Sequence, residues 1–115
     1  MRDVVILGAA MKRFGKYEDS IIKLGAECCI DALKDAGVKW KDVNAAYCSH
    51  VLMGVTVGQS ILLPLGPTGI PVFNVDNGCA GGTTAMILAR QAIGSGAFNI
   101  VLIDCDRPNI SLINQ

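Results

Sequence analysis

Asn74-Val75-Asp76-Asn77-Gly78-Cys79-Ala80-Gly81-Gly82-Thr83-Thr84 joins a strand pattern to a helix pattern across one sharp, glycine-rich turn. Upstream, Ile70-Pro71-Val72-Phe73-Asn74-Val75 carries the β-branched and aromatic residues of a strand. Downstream, between Thr83 and Gly94, the residues Ala85, Met86, Leu88, Ala89, Ala92 and Ile93 recur at helical spacing. Gly94-Ser95-Gly96 offers backbone tolerant of positive φ where that helix stops, and Ile100-Val101-Leu102-Ile103 then reads as a buried strand. The whole is a βαβ unit, whose crossover is expected to be right-handed.

Cys79 stands at the junction of strand and helix. The first turn of a helix presents unpaired N–H groups and a partial positive charge, and both stabilise a thiolate. The neighbouring glycines are read as room for a substrate carbonyl. Cys79 is therefore a candidate nucleophile, although a small residue packed at a helix start fits the spacing equally well.

Working outward, Val4 to Leu7 is a short apolar run closed by Gly8, as in a central parallel strand. Ser20 is placed to cap a helix whose apolar face is Ile21, Leu24, Ala26, Cys28, Ile30, Ala32 and Leu33, with Gly37 as its stop. A further strand is expected between Val43 and Cys48. The segment Met53 to Ser60 suits a loop, and Ser60 to Leu65 suits a short apolar helix. Strand, helix, strand, loop, strand, helix, strand describes an α/β layered domain of about four strands with helices on both faces. Its array looks incomplete, so residues 1–103 are taken as the domain and 104–115, with Pro108, as a tail expected to fray.

Composition narrows the function. Ten basic and ten acidic residues give no field that would steer the chain to nucleic acid or an anionic membrane, and no run is long enough for a membrane span. Five cysteines, an odd count in a helix-and-strand sequence, read as reduced thiols and hence a cytoplasmic setting, with peroxisomal or mitochondrial import the alternative. Leu112-Ile113-Asn114-Gln115 matches no peroxisomal address. Cys28, Cys29, Cys48 and Cys105 are expected in the core. No metal is expected: Cys28-Cys29 lacks a second pair, and Asp104-Cys105-Asp106 reads as solvated charge. Gly78 to Thr84 is not a phosphate loop, since Gly82 stands where a lysine would be needed. His50, the only histidine, is chemically able to act as a base, though nothing in the sequence turns it toward Cys79. Lys12, Arg13 and Lys16 are read as a solvated loop.

The stretch Asn74 to Thr84 resembles the nucleophile loop of the thiolase superfamily, and within it the branch associated with sterol carrier proteins. Gly8-Ala9-Ala10-Met11-Lys12-Arg13-Phe14-Gly15, Gly58-Gln59 and Leu65-Gly66-Pro67-Thr68-Gly69-Ile70-Pro71 are similar to further pieces of that branch, in the same order. The resemblance covers residues 3 to about 103. It implies a thiolase-type acyltransferase in which Cys79 takes an acyl group from coenzyme A as a thioester, for condensation or thiolysis. The Cys79 N–H would donate to the thioester oxygen. Acyl-CoA is then a substrate, and no separate cofactor is implied. Thiolases have two similar halves, and the activating histidine, the second cysteine and an asparagine–histidine pair belong to the second half. None of those motifs is found here, and near Ile103 the likeness stops, as it would in a truncated gene product. The isolated chain is thus expected to be inactive in full turnover, and to form a homo-oligomer or join a chain supplying the second half. A non-catalytic dimerisation module or an inert fragment is the alternative.

Overall fold

In the computed structural model the described residues are 1–13 and 15–105, together with the backbone of 109–114. The expectations placed on Phe14, Asp106 and Pro108 lie outside the described residues. Five strands and three α-helices follow in the order β1 (Val5–Met11), α1 (Ile21–Ala36), β2 (Ala45–Ser49), α2 (Val57–Leu62), β3 (Val72–Val75), α3 (Gly81–Gly94), β4 (Ile100–Cys105) and β5 (Asn109–Asn114). The sheet order is β1-β5-β4-β2-β3. β2 pairs in parallel with both β3 and β4, while β5 runs antiparallel to its neighbours β4 and β1.

Local chemistry accounts for most element ends. Ser20 accepts a hydrogen bond from the Lys23 N–H at 3.2 Å and so caps α1, and Gly37, at φ 68°, ends it in the left-handed conformation that glycine adopts without strain. At the far end of α3, Arg2 donates to the Ile93 carbonyl at 3.0 and 2.8 Å, in the last turn of the helix, and to the Phe98 carbonyl just beyond it at 2.8 Å.

β2 explains the two-layered core. Its five residues are all buried, and alternate side chains face opposite sides of the sheet. Ala46 and Cys48 join Cys28, Cys29, Ala32, Leu33, Ile61 and Leu102 beneath α1 and α2. Ala45 and Tyr47 join Val75, Ala85, Ala89, Ile93, Val101 and Ile103 beneath α3. Helices on both faces of one sheet are thus as the sequence pattern required. Burial of about 25 cal/mol per Å² of apolar surface on each side is the main force joining the layers.

Four expectations change. The run expected as a central parallel strand is the edge strand β1, paired antiparallel with β5. The tail expected to fray supplies β5 at Asn109–Asn114, inserted between β1 and β4. Its Ile110 and Ile113 are the strand-favouring residues, and two open sheet edges flank it. α2 begins at Val57, earlier than the apolar pattern indicated, because Asn74 Oδ1 accepts the Gly58 N–H at 2.7 Å and Asn74 Nδ2 donates to Gln59 Oε1 at 2.8 Å. Finally, Asp104 is not solvated: it is 1% exposed, and the Cys48 thiol donates to its Oδ2 at 3.7 Å.

The core carries a pH signature. Burial first, and then the charge of Asp104 and the neighbouring Cys48 and Cys28, push the Cys29 thiol well above its ordinary value near 9.0. An unfolded chain ionises this thiol near that value while the native chain keeps it neutral, so its contribution is intact below pH 9 and is lost as pH rises further. Urea titrations should therefore show stability falling above pH 9, by up to about 1.4 kcal/mol per pH unit for this group. Cys29→Ala should flatten that slope; an unchanged slope would contradict the assignment.

Candidate functional site

The last residues of β2, β3 and β4, which are Ser49, Val75 and Cys105, end at one edge of the sheet. In open α/β sheets such carboxyl ends are where ligands bind. β3 leads through Asp76 and Asn77 into a 3₁₀ turn, Gly78–Ala80, and this runs directly into α3. Cys79 is the middle residue of that turn and is exposed, as a nucleophile must be. Gly78 permits the turn by adopting φ 53°.

Gly81 and Gly82 have a different reason from the one their sequence suggested. A Cβ at Gly81 would run into the Ser49 hydroxyl, and one at Gly82 would lie 3.0 Å from Cys105 Sγ. These glycines let the first turn of α3 press against the strand ends; they are packing residues before they are room for substrate. The signal that identifies Gly81 as such, a contact with Ser49 from 32 positions earlier in the chain, is not visible in local sequence.

The residues on either side of Cys79 are hydrogen-bonded. Ala80 N–H donates to the Asn77 carbonyl at 3.1 Å, Gly81 N–H to the Gly78 carbonyl, and Gly78 N–H to Asp76 Oδ1 at 3.4 Å. The N–H of Cys79 has no acceptor among the described residues.

His50 follows β2 and its N–H donates to the Val75 carbonyl at 3.1 Å, on the strand that leads to Cys79. Its Nδ1 is buried without a hydrogen-bond partner among the described residues, and no hydrogen bond links the ring to Cys79. The structure therefore brings His50 to the same edge but does not make it the base of a cysteine–histidine pair. Cys28, Cys29 and Cys48 are in the core as expected, and Cys105 is half-buried against α3. Lys12 makes an ion pair with Glu27 at 3.0 Å. Among the described residues no group of histidines, cysteines and carboxylates is arranged to hold a metal ion, and no helix is long and apolar enough to cross a membrane. Two cavities, of about 460 and 200 Å³, flank Trp40 beside α1 and α2, and Cys79 lines neither.

The family model of the thiolase N-terminal domain matches residues 4–104. The chain belongs to that family. The thiolase N-terminal domain described here is 37% identical over 105 residues to sterol carrier protein 2 of Gallus gallus, covering 88% of this chain and 19% of that protein. An acetyl-CoA acetyltransferase of Methanocaldococcus jannaschii is 34% identical over 109 residues, covering 90% of this chain and 28% of that protein. The chain thus spans less than a third of the length of these curated relatives. Among solved structures, 3-oxoacyl-[acyl-carrier-protein] synthase III from Aquifex aeolicus VF5 superposes with a TM-score of 0.83 at 12% identity, over 98% of this chain and 54% of that one. At that identity the likeness is one of fold. The resemblance drawn from the four sequence pieces, and its sterol-carrier side, are borne out.

The contact between Gly81 and Ser49 can be tested in this thiolase domain. Gly81→Ala should destabilise by roughly 1–3 kcal/mol through overpacking, read as a lower urea midpoint. Ser49→Ala leaves its Cβ 3.3 Å from the added methyl and should recover most of that loss in the double variant. Purely additive losses would place the strain elsewhere.

Proposed function

We propose that this chain is the nucleophile half of a thiolase-type acyltransferase. Cys79 is the acyl acceptor: its thiolate attacks the carbonyl carbon of an acyl-CoA thioester, a new C–S bond forms, and the bond to coenzyme A breaks. Coenzyme A leaves as a thiolate that takes up the proton Cys79 gave up. The observation that carries this reading is the exposed Cys79 beside its own unspent N–H, at the start of α3 and on the carboxyl edge of the parallel strands.

The chain supplies one part of the chemistry. A general base, a second oxyanion donor and the group that handles the substrate's α-proton are assigned to a second thiolase half, provided by another chain or a longer partner. Support comes from α3, whose outward face leaves Ile87 and Leu88 52% and 37% exposed, an apolar surface suited to being covered. The exposed Phe73 on β3, stacked at 4.8 Å between ring centroids on Tyr47, favours a second reading, a dimerisation module that does no chemistry.

Mass spectrometry separates the two. Incubation with acetyl-CoA, alone and beside a full-length relative, should add one acetyl group at Cys79 that is absent in Cys79→Ala. The isolated chain should release no condensation product. Acetylation in neither condition would leave the dimerisation module as the better reading, and full turnover by the purified chain would refute the assignment of the base to a second half.

A further inference from the structure

The turn that presents Cys79 lacks the usual start of a helix. Ala80 occupies the N-cap of α3 and has no side-chain oxygen to accept from the first-turn N–H groups. A side-chain bridge holds the turn instead. Asn77 Nδ2 donates to Thr84 Oγ1 at 2.8 Å, and Thr84 Oγ1 donates in turn to the Ala80 carbonyl at 2.9 Å. With the Ala80 N–H bound to the Asn77 carbonyl at 3.1 Å, the three residues Gly78, Cys79 and Ala80 lie inside a ring closed by Asn77 and Thr84.

Each end of the bridge answers a local need. Asn77 sits at φ −142° and ψ 40°, outside the regular strand and helix regions, and its side-chain amide ties that conformation to the helix. Thr84 has a single hydroxyl, here used as acceptor and donor at once, so neither bond survives its removal. Neither the thiol nor the N–H of Cys79 enters the ring; both stay available while the bonds on either side fix their direction.

We infer that Asn77 and Thr84 are positioning residues for Cys79, holding its thiol and its N–H on one approach to an acyl carbonyl. The inference rests on the reading of Cys79 as the acyl acceptor. Attack on a carbonyl needs the sulfur and the hydrogen-bond donor in register with one another, and a misplacement of about 1 Å costs on the order of a hundredfold in rate. Alkylation by a small reagent needs only an accessible thiol. The ratio of acyl transfer to alkylation therefore isolates orientation from mere integrity of the turn.

The test uses the full chain as wild type, Thr84→Val, Thr84→Ser and Asn77→Ala. Two quantities are read: hydrogen exchange of the Ala80 amide, and the rate of acetyl transfer from acetyl-CoA to Cys79 divided by its rate of alkylation by iodoacetamide. Thr84→Val and Asn77→Ala should each speed exchange and lower the ratio about tenfold, a fraction of the full cost of misplacement. Thr84→Ser, which keeps the hydroxyl, should restore both. Unchanged exchange in Thr84→Val, or a ratio that stays at the wild-type value while exchange rises, overturns the inference. If Thr84→Val does not fold, Asn77→Ala decides by the same two readings, since it removes the exposed end of the bridge. A wild-type chain that takes no acetyl group either alone or beside a full-length relative, while exchange still responds, overturns the acyl-acceptor reading and leaves Asn77 and Thr84 as holders of the turn alone.

Discussion

The close approach of the first turn of α3 to the ends of the parallel strands is the constraint on which the rest of the structure depends. A Cβ at Gly81 would clash with the Ser49 hydroxyl, and one at Gly82 would press on Cys105 Sγ at 3.0 Å, so both glycines mark a close approach of helix and sheet. Ser49 and Cys105 close β2 and β4, so the helix start is held over the carboxyl edge of the sheet. The residue two places before Gly81 then has nowhere to go but the rim. Cys79 is exposed because α3 begins so low against the strands, and the same packing that buries Ala85, Ala89 and Ile93 determines where the thiol stands.

On the opposite face the sheet is held by a second anchor. Asn74 lies in β3 five positions before Cys79, and its side chain bonds Gly58 and Gln59 at the start of α2. Gly58 is as crowded as Gly81: a Cβ there would come within 2.7 Å of Cys48 Cβ and 2.9 Å of Val72 Cγ1 and Asn74 Oδ1. Among the described residues β3 is an edge strand with β2 as its only sheet neighbour, and such a strand is free to shift unless something else grips it. The Asn74 amide supplies that grip from α2, while Tyr47 and Phe73 stack across the pair on the α3 side. The two helical layers thus act on the same four-residue strand, and through it on the turn that follows.

Features resting on neighbouring residues were legible in the sequence. The βαβ unit around Cys79, the Ser20 and Gly37 caps of α1 and the buried β4 all follow from periodicity and turn chemistry within a few positions. Features resting on distant partners were not. β5 needs two open edges contributed by strands almost a whole chain apart, and the early start of α2 needs Asn74, sixteen residues downstream of Gly58. Asp104 looked solvated because a carboxylate at a strand end usually is, yet its register opposite Cys48 turns it beneath α1, where a thiol donates to it. The turn glycines were legible as glycines and misread as to cause, since only the fold shows what each one touches.

The same distinction between local and distant partners bears on what the domain can do chemically. A cysteine nucleophile needs backbone geometry, which one layered half can supply, and a partner that moves protons, which must point at the sulfur from across the site. Among the described residues no titratable group near the rim is hydrogen-bonded to Cys79. Asp76 Oδ1 accepts the Gly78 N–H, His50 Nδ1 is buried within the protein, and Asp104 lies on the α1 face with Cys48. All three stand at or next to the ends of the parallel strands. On the proposed reading of Cys79 as acyl acceptor, a base supplied by a second body of protein satisfies both demands.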